Sequence, residues 1–347
     1  MAENQRIVFA DTIRGLAVLL MIQVHIMELF ASQEIYESLR GGISLFFGGI
    51  PAAPIFMLMM GYFLAFSKKK TSEMAIRAVR LFIGGIMLNI GLNLHLLYNI
   101  FFKSWELNPL NYIFGADIFT LAGLSLLFFA IIKKIASDSY YMYFGLAIVI
   151  AIVSQFFYPN QFEDHSLNYV FSFFVGGTSW SFFPLIPWLS YSLVGFGFKL
   201  LTDKLDLVDI VTKSWSKYVI GFLILLLSFS INFAINITTN LPDYYHFDIM
   251  FFLWSLMFIM VWIYLLFFIE KWFYNTNFIH YLQFLGKNVT VVYVIQWLII
   301  GNLGTLFYKS ANYIQCVLWF LLITISSSTL TNFWVKFRIF NAKKKYI

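Results

Sequence analysis

Four ionisable residues interrupt an apolar run near the start of the chain: Asp11, Arg14, His25 and Glu28. Titratable groups among apolar neighbours are costly to bury, so each asks for a reason. In a helix turning about 100° per residue, with Asp11 at zero, Arg14 falls at about 300°, His25 at about 320° and Glu28 at about 260°. All four share an arc of about 100°, a stripe that faces a bundle interior or a wet cavity. Asp11 and Arg14 have the spacing of a helical ion pair. His25 and Glu28 have it too, so Glu28 can orient the imidazole and raise its basicity. Arg14 and His25 stand about 16 Å apart along the axis. A guanidinium there suits a phosphate-bearing donor, and an imidazole suits general-base work on a hydroxyl or amine. The plainer reading is that Asp11 and Arg14 neutralise each other and that His25 bonds a neighbouring helix.

The elements that would carry this stripe follow from composition. Of 347 residues, 61% are hydrophobic and only 12% charged, with a mean hydropathy of +0.79. A soluble domain carries about twice that charge, so the bilayer is the expected solvent. Aromatics make up 21%, with Phe suited to lipid and packing faces and Trp and Tyr to interfaces. The single cysteine, Cys316, excludes an intrachain disulfide and makes a cysteine metal site a poor reading. With a span of about 20 apolar residues as the ruler, ten spans are expected near 8–30, 43–66, 79–101, 113–132, 141–158, 180–199, 218–237, 248–269, 285–307 and 312–335. Pro184 and Pro187 interrupt the sixth, and 169–179 is apolar enough to dip into the membrane. The first run carries no cleavage-site pattern and is expected to persist as a span.

Loop charge supports this alternation. With the N-terminus inside, nineteen basic residues fall on the cytoplasmic side, from Arg6 through Lys68–Lys70, Arg77, Arg80, Lys133 and Lys134 to the C-terminal lysines. Only Arg40, Lys103 and Lys309 fall outside. That bias fits an even number of spans with both termini cytoplasmic. It also accounts for the net charge of +6 without nucleic acid. The expected architecture is therefore all-α: one polytopic membrane helix bundle over residues 1–347, in the cell membrane.

Other positions join the stripe as candidates. Asp117 opens the fourth span and could hold an acceptor hydroxyl, pair with His25, or cap its helix. Arg77 and Arg80 could meet donor phosphates or anchor topology. Asn89 and Asn93 share a face of the third span. Trp180 and Trp188 flank a proline-broken segment of the kind that lines cavities. Gln296 and Asn302 in the ninth span could bond substrate or a neighbouring helix. Glu163, Asp164, His165, Asp243, His246 and Asp248 gather in the outer loops, without a metal-ligand spacing.

The run R-x4-D-x2-R-G-L-A-x3-M-x3-H, from Arg6 to His25, resembles the opening of membrane acyltransferases related to heparan-α-glucosaminide N-acetyltransferase. Its Arg-x10-His spacing is similar to that of the acyltransferase-3 family. PAAPIFMLMMGYFLAFSKK (51–69), RAVRLFIGGIMLNIG (77–91), FGADIFTLAGLSLL (114–127), FFPLIPWLSYSLVGFGFK (182–199) and LGKNVTVVYVIQWLIIG (285–301) resemble later helices of that superfamily in the same order. The resemblance implies acetyl-CoA or another acyl-CoA as donor, with no metal expected. It implies an acceptor such as a cell-envelope glycan or its lipid-linked precursor. His25 and Glu28 would then act with Asp117 in catalysis. Arg14, Asp11, Arg77 and Arg80 would hold the donor, and Trp180, Trp188, Gln296 and Asn89 the acceptor. Two departures stand out. Gln296 replaces a histidine that many relatives carry, and residues 26–50 hold no histidine, which shifts the catalytic role to His25. The alternative function is a transporter or flippase of envelope precursors, with the stripe carrying protons or ions. That reading expects matched broken helices, and the sequence shows one proline-rich interruption. Membrane lipids are expected neighbours, and a homodimer is left open.

Overall fold

In the computed structural model, residues 8–135, 139–157, 165–205 and 207–344 are described. Arg6, Glu163 and Asp164 lie outside them, as do the side chains of Lys134 and His165. The described residues are almost wholly helical, as the composition demands: backbone groups in lipid must be satisfied within each segment.

The chain opens with α1 (Val8–Leu29), one unbroken helix that carries the whole stripe. A short α2 (Gln33–Tyr36) leads to α3 (Leu39–Gly49) and α4 (Ala53–Ala65). Pro51 and Pro54 part these last two, with Pro54 in the first turn of α4, where its missing N–H costs little. The third expected span is α5 (Thr71–Leu92), which starts eight residues earlier than expected and breaks at Asn93 into α6 (Leu94–Phe102). After α7 (Pro109–Ile113) come α8 (Ile118–Ile135) and α9 (Tyr140–Val153). Helix α10 (His165–Phe171) is followed by α11 (Leu185–Thr202) and α12 (Leu207–Thr212). Next, α13 (Ser214–Phe229) and α14 (Ile231–Thr239) meet at a 59° bend. Helix α15 (Leu241–Tyr245) precedes α16 (Ile249–Phe273). Three helices close the chain: α17 (Asn277–Lys287), α18 (Val289–Leu306) and α19 (Tyr313–Lys344).

Among the described residues, seven helical stretches are long and apolar enough to cross a membrane, or eight if the bent α13–α14 pair is one span. Two shorter apolar helices, 118–133 and 140–156, occupy the fourth and fifth expected positions. The proline-rich interruption at Pro184 and Pro187 is not alone among the described residues. Breaks also occur at Pro51, Asn93, Ser230 and Asn288, where proline or a polar residue replaces the apolar pattern. The stretch 172–184 is not helical. Its backbone is stitched to the entry of α8, with Ala116 N donating to Trp180 O at 2.9 Å and Phe183 N to Ala116 O at 2.7 Å.

Two glycine-mediated crossings lock the centre. Gly15 of α1 lies against the Leu282 carbonyl of α17, and Gly286 of α17 lies against the Asp11 carbonyl of α1. Gly61 of α4 and Gly195 of α11 face Ser192 and Leu58 in the same reciprocal way. A Cβ at any of the four would occupy a carbonyl, which is why small residues stand where membrane helices meet backbone to backbone. Helix α1 is thereby clamped at its first half, and its stripe is presented to the interior.

Candidate functional site

The stripe opens on two cavities. The first, a small cavity of about 40 Å³, takes His25 and Glu28 from the end of α1 and Gly48, Gly49, Ala52, Ala53 and Phe56 from around the α3–α4 break. Asp117 and Ile118 come from the start of α8, Tyr244 and Tyr245 from α15, and Tyr293 from α18. The second, of about 270 Å³, takes Arg14 from the start of α1 and Phe63 and Ser67 from the end of α4. Arg77 of α5, Phe119 of α8 and Val289, Thr290 and Tyr293 of α18 complete it. Phe56, Ile118 and Tyr293 line both. The two chambers differ in charge. Glu28 and Asp117 line the first, with no Lys or Arg, whereas Arg14 and Arg77 line the second, with no carboxylate.

Asp11 and Arg14 form the expected ion pair. The Arg14 guanidinium also lies 4.7 Å from the centre of the Phe63 ring, so carboxylate and ring together aim it along the chamber wall. His25 and Glu28 share the outer chamber, but no hydrogen bond joins them among the described residues. An i, i+3 spacing places two side chains on one face; it does not turn one towards the other. The imidazole is held instead by α18, packed at a 35° tilt on Trp297 with ring centres 4.0 Å apart, and faced by Gln296. Its Nδ1 is buried with no hydrogen-bond partner, and so are both ends of the Gln296 amide. Buried polar atoms left open in this way are places for water or a ligand. Glu28 instead looks outward. Its charge acts on Lys309 and Tyr36, whose ammonium and ring lie 3.7 Å apart. Burial, and then Glu28, pushes the Tyr36 phenol up to about 12, so it remains neutral. Burial lowers the Lys309 ammonium, against the pull of Glu28 and Glu37.

Asp117 is a helix cap and a chamber wall at once. It accepts from Ile118 N at 2.6 Å and from the Tyr293 hydroxyl at 2.7 and 2.8 Å. It does not pair with His25, although both line one chamber. Asn89 is buried away from both cavities. Its amide donates to the carbonyls of Ile113 at 3.1 Å and Gly115 at 2.8 Å, so it braces the turn that delivers Asp117. Asn93 reaches the same turn through Tyr112 O. Trp188 is fully buried rather than lining a path. Its indole N–H holds the Tyr245 carbonyl at 2.8 Å, and its ring packs on Phe183 and Tyr244. Trp180 stacks on Tyr169 and lines neither cavity. Arg80 is exposed outside the inner chamber that Arg77 enters. Asn302 ties α18 to α6, accepting from His95 N and donating to Gly91 O, both at 2.9 Å.

Sequence reasoning left out Tyr293, Tyr244, Tyr245 and Trp297. Tyr293 sits in the G-K-x5-Y stretch quoted above and was readable as more than packing. Tyr244 and Tyr245 stand in an outer loop whose acidic residues drew attention instead. Among the described residues no group of three His, Cys, Asp or Glu side chains converges.

Residues 6–221, more than half of the chain, match the family model described as heparan-alpha-glucosaminide N-acetyltransferase, catalytic. The match contains α1, with its whole stripe, and Asp117. Neither the curated proteins nor the solved structures contain a match.

Proposed function

The chain belongs to the heparan-alpha-glucosaminide N-acetyltransferase catalytic family, and from that membership we propose that it moves an acetyl or similar short acyl group from acyl-CoA to a hydroxyl or amine of an envelope glycan or related acceptor. It is a multi-pass membrane protein of an acetyltransferase family. The observation that carries the finer reading is the pair of chambers, one cationic and one acidic, joined at a wall of three residues. A polyanionic donor fits the chamber of Arg14 and Arg77, where a guanidinium can grip phosphate with two parallel bonds. A neutral or cationic acceptor fits the chamber of Glu28 and Asp117. The 16 Å or so between Arg14 and His25 asks for an extended donor, with phosphates at one end and thioester at the other.

In this reading His25 takes the proton of the acceptor hydroxyl or amine as its oxygen or nitrogen attacks the thioester carbonyl carbon. A new C–O or C–N bond forms, and the C–S bond breaks. His25 returns the proton to the departing thiolate, leaving acylated acceptor and free CoA thiol. The indole face of Trp297 lies where it can stabilise the imidazolium formed in passing. Glu28 and Tyr36 offer hydrogen bonds to a polyhydroxyl acceptor. The transport alternative gains nothing from these features, since the family is enzymatic.

The test uses the purified protein in lipid nanodiscs with radiolabelled acetyl-CoA and membrane glycan extracts. Wild type is expected to bind the donor and to transfer label. His25→Ala is expected to bind it but lose transfer by about 10²–10⁴-fold, the usual worth of a general base. Full transfer by His25→Ala, or no acyl-CoA binding by wild type, would sink the proposal.

A further inference from the structure

The two chambers share Phe56, Ile118 and Tyr293 as lining residues, so these three stand between the donor side and the chamber of His25. Their anchoring is unequal. Tyr293 is 5% exposed, its hydroxyl donates into the Asp117 carboxylate, and its ring lies on Phe119 at 4.8 Å. Ile118 is fixed as the residue whose N–H Asp117 caps, and Asn89 holds the turn just before it. Phe56 has no such tether. It is half-buried in the first turns of α4, beyond the proline break. The wall is thus two fixed posts and one bulky ring, apolar except for a tyrosine hydroxyl already engaged.

We propose that this wall selects the acyl group, with Phe56 setting the chain length that fits between the fixed posts of Ile118 and Tyr293. The proposal rests on the reading of the inner chamber as an acyl-CoA site. The acyl class it admits is short and uncharged. An alkyl tail of one or two carbons fits apolar side chains, a longer one meets the Phe56 ring, and a carboxylated acyl group meets Asp117 and Glu28 in a chamber whose lining residues include no Lys or Arg. Discrimination of one methylene in an apolar pocket is commonly about 10–200-fold, so a wall of this kind has a measurable signature. Tyr293 is a positioning residue here, acting through the rigidity that Asp117 gives it.

The experiment is competition binding in nanodiscs, displacing radiolabelled acetyl-CoA with unlabelled free CoA, acetyl-CoA, hexanoyl-CoA or succinyl-CoA. Free CoA carries no acyl group and is the reference for each variant. Wild type is expected to prefer acetyl-CoA over hexanoyl-CoA and succinyl-CoA by about ten-fold or more. Phe56→Ala is expected to cut the hexanoyl discrimination by about ten-fold while the succinyl discrimination stays. Phe56→Leu, a gentler change, gives an intermediate ratio and carries the test if the alanine variant does not fold. Tyr293→Phe, which frees the ring from Asp117, is expected to lower the hexanoyl discrimination as well. An unchanged hexanoyl ratio in a Phe56 variant that still binds free CoA overturns the proposal alone. A wild-type protein that free CoA and acetyl-CoA both fail to occupy overturns it together with the functional reading.

Discussion

At the scale of single residues, the site separates what a helical wheel can state from what it cannot. The stripe was legible because ionisable residues are rare in apolar runs, and all four of its members face protein interior. Their partners were not legible. His25 is packed on Trp297 and faced by Gln296, both on α18 and far along the chain. Gln296 sets an uncharged amide against the imidazole there. Trp297→Ala is expected to reduce turnover by about ten-fold or more while Trp297→Phe keeps most of it, because a ring face near an imidazolium contributes about 0.5–2 kcal/mol. Turnover at saturating donor is the measurement. At the other end of the stripe, Arg14 is set by Asp11 and Phe63 to present a planar fork. Arg14→Lys keeps the charge and loses the fork, so donor KM is expected to rise by about ten-fold with kcat largely retained. A variant with wild-type KM would show that Arg14 serves packing alone.

At the scale of elements, the helices were readable from hydropathy, and their breaks were not. Proline announces a break at 51–54, whereas Asn93, Ser230 and Asn288 break helices only because their surroundings accept it. Such a residue in an apolar run looks identical to one that bonds a neighbouring helix. The breaks matter, because the end of α3, the start of α4 and the start of α8 build the chamber walls. Asn89 shows the coupling. Removing its amide leaves the carbonyls of Ile113 and Gly115 without a donor, at about 1–3 kcal/mol for each buried group. Asn89→Ala is therefore expected to lower the melting temperature in detergent and to lower turnover through Asp117, which it never touches. The outer loops carry a pH signature. Burial lowers the His246 pKa, against the Pro242 carbonyl bond and the charge of Asp243, and its ring packs against Gly176, where φ is +82°. Below the usual value of 6.5 the unfolded chain binds a proton that the folded chain resists, so stability falls as pH drops through that range. Melting at pH 5 is expected below melting at pH 7, with His246→Asn reducing the difference.

At the scale of the whole molecule, the chambers and the loop charges describe the same axis. Lys133 Nζ donates to Ser67 O at 3.1 Å, Lys199 lies over Phe66 at 4.2 Å and Lys204 over Tyr140 at 5.2 Å. These contacts draw together the loops that the charge bias places inside. At the far end Lys309 N bonds Leu29 O at 3.0 Å and Arg40 lies over Tyr313, joining loops that the bias places outside. Between the ends, Phe222, Phe229, Leu318, Ile325 and Phe333 are exposed, as lipid-facing residues are. The positive-inside rule gives the expected direction, with the loops of Lys133, Lys199 and Lys204 on the cytoplasmic side. That direction carries weight for the proposed reading, because the chamber of Arg14 and Arg77 also takes Ser67, which adjoins Lys68–Lys70 in the chain. In a Cys316→Ala background, Ser72→Cys and Ser104→Cys place single thiols at exposed sites on opposite ends. A membrane-impermeant maleimide on intact cells is expected to label the cysteine at 104 at once and the one at 72 only after lysis. The reverse pattern would turn the cationic chamber away from its donor, and the proposed direction of acyl transfer would fall with it.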